Sequence, residues 1–452
     1  MSSRDVEVVR ILRSKADVDF TLSDQDGHII ASYFSEEKSK IPGGSYLYSI
    51  NNHPLHGSAA TLLNDVNHTI DSEESYPLTL IFKSEPDKKL KKKLTLPLPD
   101  DFLGEIPALT EEEIQEYTKL AKTWVQGLLD ASTSDKGFNY ICTKENVDIY
   151  QGHDPDKKIQ LVRGQTKIKC SVDEMRAFMI APTTDSFRRL FHMIDVHFQD
   201  GLVLHRFPTN YKHPDVPFYS IKWGIMGIQS SPLWLRDVCW LEYGDMMNDE
   251  NGVQMGFGVA SSIKRPECPT MENYKLVRAD MMCSGYVFRK VPDEPDCMQV
   301  TYIVQADPKG WLPKWAVNMF AWQEALNLAR IRNNAEGIHQ AKEKMSDHNR
   351  NGAAVQGVLI PHGKQYDIDI KVTGHMSVLS FGFSTLQHDI GFYIRGLTGD
   401  VSWSENTRYQ ADQSPISGQV NLFEGRYHLV FDNSYSWFKS KQVYYWFSVM
   451  DS

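Results

Sequence analysis

Asp307-Pro308-Lys309-Gly310-Trp311-Leu312-Pro313-Lys314-Trp315, continued through residues 316–332, is the stretch on which the reading of this chain turns. A strand ends at the Pro308–Gly310 turn. Pro313 then falls in a first helical turn, where its missing N–H is no loss. Beyond it Trp315, Met319, Trp322, Leu326 and Ala329 recur at spacings of four, three, four and three. That is one apolar face of a helix. The pattern predicts a strand, a tight turn and a long helix that carries large aromatics inward.

Three further blocks precede this one in order. Ser230-Ser231-Pro232-Leu233-Trp234-Leu235-Arg236-Asp237-Val238 opens a strand. Pro269-Thr270-Met271-Glu272-Asn273-Tyr274-Lys275-Leu276-Val277-Arg278-Ala279 leads to another. Ser284-Gly285-Tyr286-Val287-Phe288 and Thr301-Tyr302-Ile303-Val304-Gln305-Ala306 supply the last two. Upstream, Thr110 and Glu113 form a capping box before a helix with Ile114, Tyr117, Leu120, Ala121, Trp124 and Leu128 on one face. Together these blocks resemble the START (StAR-related lipid transfer) domain. The resemblance implies a central α+β helix-grip fold over residues 105–345, with a closed lipid cavity lidded by the Trp311–Trp322 helix.

In that family the arginine at position 236 points into the cavity, where it pairs with an acid from the preceding strand or meets a lipid phosphate. Asp200 is the best-placed acid here. A buried guanidinium cannot neutralise, so it needs an anion. With Asp200 as partner, the cavity suits a neutral head such as a sterol hydroxyl. Without it, a phosphate is the natural bidentate partner. A surface Arg236–Asp237 pair is the plain structural alternative. Strand alternation puts Arg236, Val238 and Trp240 on one face, aligns Met282 with Ser284 and Tyr286, and pairs Tyr302 with Val304. The expected ligand contacts are therefore Arg236, Asp200, Trp240, Met282, Ser284, Tyr302, Trp315, Met319 and Trp322. Each of these residues also fits ordinary core, and methionines suit a cavity that adapts to a flexible chain.

The flanks differ in character. Residues 1–85 read as strands and one helix. The stretch Gly44-Ser45-Tyr46-Leu47-Tyr48-Ser49-Ile50-Asn51-Asn52-His53-Pro54-Leu55-His56-Gly57, with Ser58 as N-cap of the helix that follows, resembles a PDZ domain. That implies a small β-rich fold and a protein partner. The resemblance departs at Ala16-Asp17-Val18-Asp19-Phe20-Thr21-Leu22, where the family has a glycine-rich carboxylate-binding loop. Asp17 and Asp19 there repel a peptide carboxylate. Residues 86–104 form a Lys/Pro-rich linker, and residues 346–354 a second polar one. Residues 355–452 predict seven or eight short alternating strands, an all-β sandwich. Within it, Phe383-Ser384-Thr385-Leu386-Gln387-His388-Asp389-Ile390-Gly391-Phe392 and Phe431-Asp432-Asn433-Ser434-Tyr435-Ser436-Trp437-Phe438-Lys439-Ser440-Lys441 resemble the GOLD (Golgi dynamics) domain appended to Sec14-like lipid-transfer proteins.

Composition narrows the function. The net charge is −10 and the pI about 5.8, which disfavours nucleic acid as a partner because phosphate binding needs a basic field. The six cysteines form no CxxC pair, the N-terminus lacks an apolar signal region, and no run is long enough to span a membrane. These features fit a cytoplasmic protein, and the GOLD resemblance implies a peripheral site on Golgi or other endomembranes. His192, His197, His205 and His213 form no metal or catalytic spacing, and neither GxSxG nor a Walker loop is present. No enzyme activity, cofactor or metal is expected.

The reading is a lipid-binding or lipid-transfer protein that holds one hydrophobic ligand. Membrane contact is assigned to Lys88, Lys89, Lys91, Lys92 and Lys93 in the linker and to Trp437, Phe438 and Lys439 in the C-terminal segment. The alternatives are a trafficking adaptor that senses lipid without moving it and a storage binder of a pigment or sterol.

Overall fold

The computed structural model describes residues 7–13, 18, 20–25, 28–33, 46–51, 53–56, 59–72, 77–83, 94–152, 160–210, 216–227, 234–294, 296–310, 314–345, 353–396 and 402–451. Within these elements the side chains of residues 7–10, 21, 23–25, 28, 30–33, 59–61, 83, 160, 314–322, 402–406 and 451 also lie outside the description. No helix among the described residues is long and apolar enough to cross a membrane.

The N-terminal sheet comprises β1 (Glu7–Leu12), β2 (Phe20–Gln25), β3 (His28–Tyr33), β4 (Tyr46–Ile50), β5 (His53–Pro54) and β6 (Leu78–Lys83). Its order is β1-β6-β4-β3-β2, with β5 beside β4. Helix α1 (Ala59–Asp71) places Leu62, Val66 and Ile70 four apart, so one stripe buries against Leu47, Leu80 and Phe82.

The central unit runs α2 (Glu111–Thr133), β7 (Phe138–Lys144), β8 (Val147–Gly152), β9 (Gln160–Lys169), α3 (Val172–Met179), α4 (Thr184–Ile194), β10 (Phe198–Arg206), β11 (Phe218–Met226), β12 (Leu235–Asn248), β13 (Gln254–Ser262), β14 (Leu276–Arg278), β15 (Asp280–Met281), β16 (Ser284–Lys290), β17 (Cys297–Asp307) and α5 (Lys314–Lys344). One sheet joins these strands in the order β10-β11-β12-β13-β16-β17-β9-β8-β7. Capping boxes start α2 at Thr110/Glu113, α3 at Ser171/Glu174 and α4 at Thr183/Ser186.

The sheet has two apolar faces. One packs on α2 through Ile221, Trp223, Leu241 and Val287, and the other packs on α3, α4 and α5 through Trp240, Phe288 and Val300. The stretch expected as linker is not free. Leu94, Leu96, Leu98 and Phe102 pack on the α2 face, and Phe102 stacks on Trp223 at 5.7 Å. Their burial removes apolar surface from water, which a solvated linker would leave exposed.

The C-terminal sheet comprises β18 (Gln356–Ile360), β19 (Gln365–Thr385), β20 (Ile390–Gly396), β21 (Ser402–Tyr409), β22 (Ile416–Asp432) and β23 (Lys441–Asp451), in the order β18-β23-β19-β22-β20-β21. Two strands are long where short ones were expected. On β19 the buried apolar side chains are Ile368, Ile370 and Val372, then Leu379, Phe381 and Phe383. The parity switches across a register shift between Val372 and Met376, so one bulged strand looks like two in sequence. Phe383 pairs with Ile416 of β22, and Phe431 lies 15 residues further along that strand, about 50 Å if it were straight. The two rings are nevertheless 5.3 Å apart. The sheet therefore folds over itself around a single aromatic core.

This unit rests on the helices of the central one. Arg189 of α4 donates to the Tyr366 hydroxyl at 2.6 Å. Gly337 of α5 lies so close to Tyr444 that a Cβ there would meet the phenol oxygen at 1.9 Å.

Candidate functional site

Between the sheet and helices α3, α4 and α5 lies a cavity of about 260 Å³. Leu190, Phe191 and Ile194 of α4 line one wall. Val238 and Trp240 of β12, Val259 of β13, Tyr286 and Phe288 of β16, and Tyr302 and Val304 of β17 line the other. Alternation on β12 and β17 accounts for these positions, because even-numbered residues face inward.

Arg236 lines the cavity and is 6% exposed. Nη1 donates to Trp234 O at 2.6 Å, Nε to Pro308 O at 3.2 Å and Nη2 to Lys309 O at 3.2 Å. It makes no ion pair with a carboxylate among the described residues, and burial lowers its pKa to about 10. Three of its five N–H groups are used.

The expected Asp200 partnership is corrected. Asp200 does not line the cavity. Its carboxylate accepts from Arg188 Nε at 2.7 Å and Leu98 N at 2.6 Å. The Leu94–Leu98 stretch and α4 both reach it first, and neither contact is local in sequence. The surface Arg236–Asp237 pair is also absent. Asp237 faces the packed side of the sheet, fully buried, and accepts from Arg278 Nη2 at 2.7 Å and Trp223 Nε1 at 2.7 Å.

Trp240 lies in an aromatic cluster with Phe187, their rings at 5.6 Å and 70°. Ser284 lines the cavity, but its hydroxyl accepts from Gln305 N at 2.8 Å and so pins β16 to β17. Tyr302 stacks on Tyr286 at 4.3 Å and 7°. Met282 does not line the cavity, and Met281 does. Cys283, at φ 38°, lies between β15 and β16 and shifts the inward parity by one from Met281 to Ser284. Trp315, Met319 and Trp322 lie on α5, but their side chains fall outside the described residues.

Two acids were not anticipated. Asp195 caps the C-terminus of α4 and Glu324 sits on α5, and both line the cavity. Tyr302 Oη donates to Glu324 Oε2 at 3.5 Å, and Asn327 Nδ2 donates to the same oxygen at 3.1 Å. Burial raises the pKa of both carboxyls, and for Glu324 the neighbouring Asp195 raises it further. Glu242 also lines the cavity, but Lys222 neutralises it at 2.9 Å. A sequence signal for Glu324 exists. It heads the buried stripe Leu328, Ile331 and Ala335, where an acid is out of place.

The N-terminal unit meets this region. The His56 ring lies 4.7 Å from Trp234. A Cβ on Gly310, at φ +66°, would stand 2.9 Å from His56 Cδ2 and 3.7 Å from Arg236 Nη2. Burial and then Arg236 lower the His56 pKa to about 4.

In the loop between β22 and β23, Trp437 and Phe438 are 82% and 90% exposed. Their loop is pinned. Buried Asn433 donates to Lys439 O at 2.9 Å and Ile360 O at 3.1 Å, and Lys441 pairs with Asp389 at 2.9 Å. Lys439 Nζ lies 3.3 Å from His388 Nε2. Lys88, Lys89, Lys91, Lys92 and Lys93 lie outside the described residues.

Residues 253–344 match the family model described as START domain. A 57-residue stretch is 42% identical to START domain-containing protein 10 of Mus musculus and of Homo sapiens, covering 13% of this chain and 18% of that protein. Protein ctg-1 of Caenorhabditis elegans is 27% identical over 177 residues, 36% of this chain and 44% of the relative. The chain thus spans less than half the length of these curated relatives. Human StAR-related lipid transfer protein 5 aligns with a TM-score of 0.40 at 14% identity, over 50% of this chain and 99% of that one. The matched segment holds β13 to α5.

Proposed function

We infer that the chain binds one hydrophobic ligand with a polar head in the START cavity and presents or transfers it at a membrane. The observation that carries this is a buried guanidinium facing an apolar cavity with only backbone carbonyls as partners. A desolvated charge of that kind asks for an anion. With Asp200 occupied by Arg188, a phosphate-bearing head fits better than a sterol hydroxyl. Burying the chains of such a ligand is favourable by roughly 25 cal/mol per Å² of apolar area. Names of relatives that include lipid transfer support the same reading.

The flanking units are assigned targeting. The PDZ-like N-terminal unit and the GOLD-like C-terminal unit would choose a protein partner or an endomembrane in the cytoplasm. Trp437, Phe438 and Lys439 form an exposed aromatic-cationic tip on a pinned loop, suited to an anionic membrane surface, and the Lys88–Lys93 cluster would add to it.

Native mass spectrometry of the purified chain, with extraction of whatever co-purifies, tests the proposal. One lipid-sized adduct that is lost in Arg236→Leu is the expected result. An empty chain that no lipid panel fills would overturn it and favour the adaptor. Vesicle-to-vesicle transfer separates carrier from sensor, and visible absorbance would reveal a stored pigment.

A further inference from the structure

The N-terminal unit meets the central one at the Arg236 end of the cavity through a short segment, β5 and the two residues after it, His53–His56. Three contacts define the seat. The His56 ring packs on the Trp234 indole at 4.7 Å, and Trp234 N donates to His56 O at 3.5 Å. Gly310 closes against the same segment. A Cβ there would stand 2.9 Å from His56 Cδ2 and 3.3 Å from Pro54 O, so no side chain fits between the turn and the segment.

The stretches under this seat are those that hold Arg236. Trp234 and Pro308 line the cavity. Their carbonyls, together with that of Lys309, are the acceptors of the Arg236 guanidinium. The Pro308–Gly310 turn also leads into α5, whose Glu324 lines the cavity. One small segment therefore packs against both carbonyl-bearing stretches and against the entry to a helix that walls the cavity.

The unit that carries the segment has a core of its own. Leu47, Val66, Leu80 and Phe82 pack within it, and among the described residues its sheet shares no strand pairing with the central sheet. Leaving the seat breaks a histidine–tryptophan contact and one long hydrogen bond, not a shared core.

We propose that the His53–His56 segment is an autoinhibitory wedge: seated, it holds the Arg236 end of the cavity shut, and its release permits ligand exchange. The proposal rests on the cavity reading and on Arg236 meeting an anionic head. Two steps connect the parts. A head that draws Arg236 away leaves the Trp234, Pro308 and Lys309 carbonyls without that donor, which loosens the stretches under the wedge. Passage of a ligand needs the start of α5 to shift, and the seated segment blocks the Gly310 turn that precedes it. Head-group binding and seating oppose each other, and each weakens the other by the same factor.

The test uses the full chain loaded with a phosphatidylcholine that carries a nitrobenzoxadiazole label on one acyl chain. Release into vesicles of unlabelled phosphatidylcholine is timed by fluorescence. His56→Ala should speed release about fivefold. In the pair His56→Cys with Trp234→Cys, the disulfide formed with oxidised glutathione should slow release about tenfold relative to the same protein after dithiothreitol. The unaltered chain, carried through both treatments, controls for its own cysteines. Equal rates in the cross-linked and reduced pair, with the cross-link confirmed by peptide mapping, overturn the wedge and leave the cavity standing. A chain that takes up no labelled lipid removes the cavity reading and the wedge together. Hydrogen exchange of the unaltered chain decides the matter even if no variant folds. The Trp234 amide, which donates to His56, should exchange about fivefold faster in the loaded chain than in the empty one. An unchanged rate at that amide overturns the proposal.

Discussion

Arg236 and Asp237 are adjacent on β12, both buried and both charged, yet they belong to different regions. Asp237 faces the side of the sheet covered by α2 and is held by Arg278 and Trp223. Arg236 faces the cavity and has only carbonyls. On the packed face each buried charge is matched by the protein itself. On the cavity face Arg236 lacks a counter-charge from the described chain. A charge that the fold leaves unmatched next to empty space marks where an outside molecule completes the accounting.

The largest expected effect breaks the matched side. Asp237→Ala removes the counter-charge of half-buried Arg278 and the acceptor of Trp223, and it should cost about 3–5 kcal/mol. Urea unfolding measures it. A loss under ~1 kcal/mol would mean that the two faces do not differ as described.

Arg236→Met is the matching experiment on the cavity face. It loses three hydrogen bonds from a charged donor but relieves a desolvated cation, so the net cost should be only about 1–2 kcal/mol. Ligand retention should nevertheless disappear. A cost as large as that of Asp237→Ala, with ligand retained, would make Arg236 a structural residue.

Much of this contrast is legible in the sequence, and its failures have local causes. Period-two alternation on β12 assigns Arg236, Val238 and Trp240 to one side. It fails at Met282 because Cys283 takes a left-handed conformation, which no pattern of apolar residues announces. Asp200 fails for a different reason. Its partners, Leu98 and Arg188, come from a segment expected as a linker and from α4, a helix that was not anticipated. Glu324 hides because the apolar stripe legible in the α5 sequence, Trp322, Leu326 and Ala329, lies one face away. The capping boxes at Thr110 and Ser171 involve residues three apart, so sequence alone displays them.

The seat of the N-terminal unit gives a weaker lever, set by pH. The ordinary histidine pKa is 6.5, and that of His56 is lowered to about 4 in the folded chain. A released His56 binds protons more readily than a seated one. Its contribution to the seat is therefore fully present above pH 6.5 and is lost as the pH falls towards 4. An NMR titration of labelled histidines should place His56 near 4. Arg236→Met should move it part of the way back, since burial is the larger cause. Titration at 6.5 in the intact chain would mean that the unit does not sit against Trp234 and Gly310 in solution.

The smallest effect on stability belongs to the exposed tip, and it separates targeting from ligand binding. Trp437 and Phe438 bury almost nothing in the folded chain, so replacing both with serine should change stability by less than ~0.5 kcal/mol. The loop keeps its shape because Asn433 and Lys441 hold it from within. If the tip inserts into membranes, the double variant should bind anionic vesicles at least ~10-fold more weakly, since each aromatic removes roughly 1.5–3 kcal/mol of apolar transfer. The co-purifying ligand should be unchanged, because the tip has no contact with the cavity lining. Vesicle binding equal to that of the unaltered chain would assign the aromatics to a protein partner. Loss of both vesicle binding and ligand would show instead that filling the cavity depends on docking at this tip.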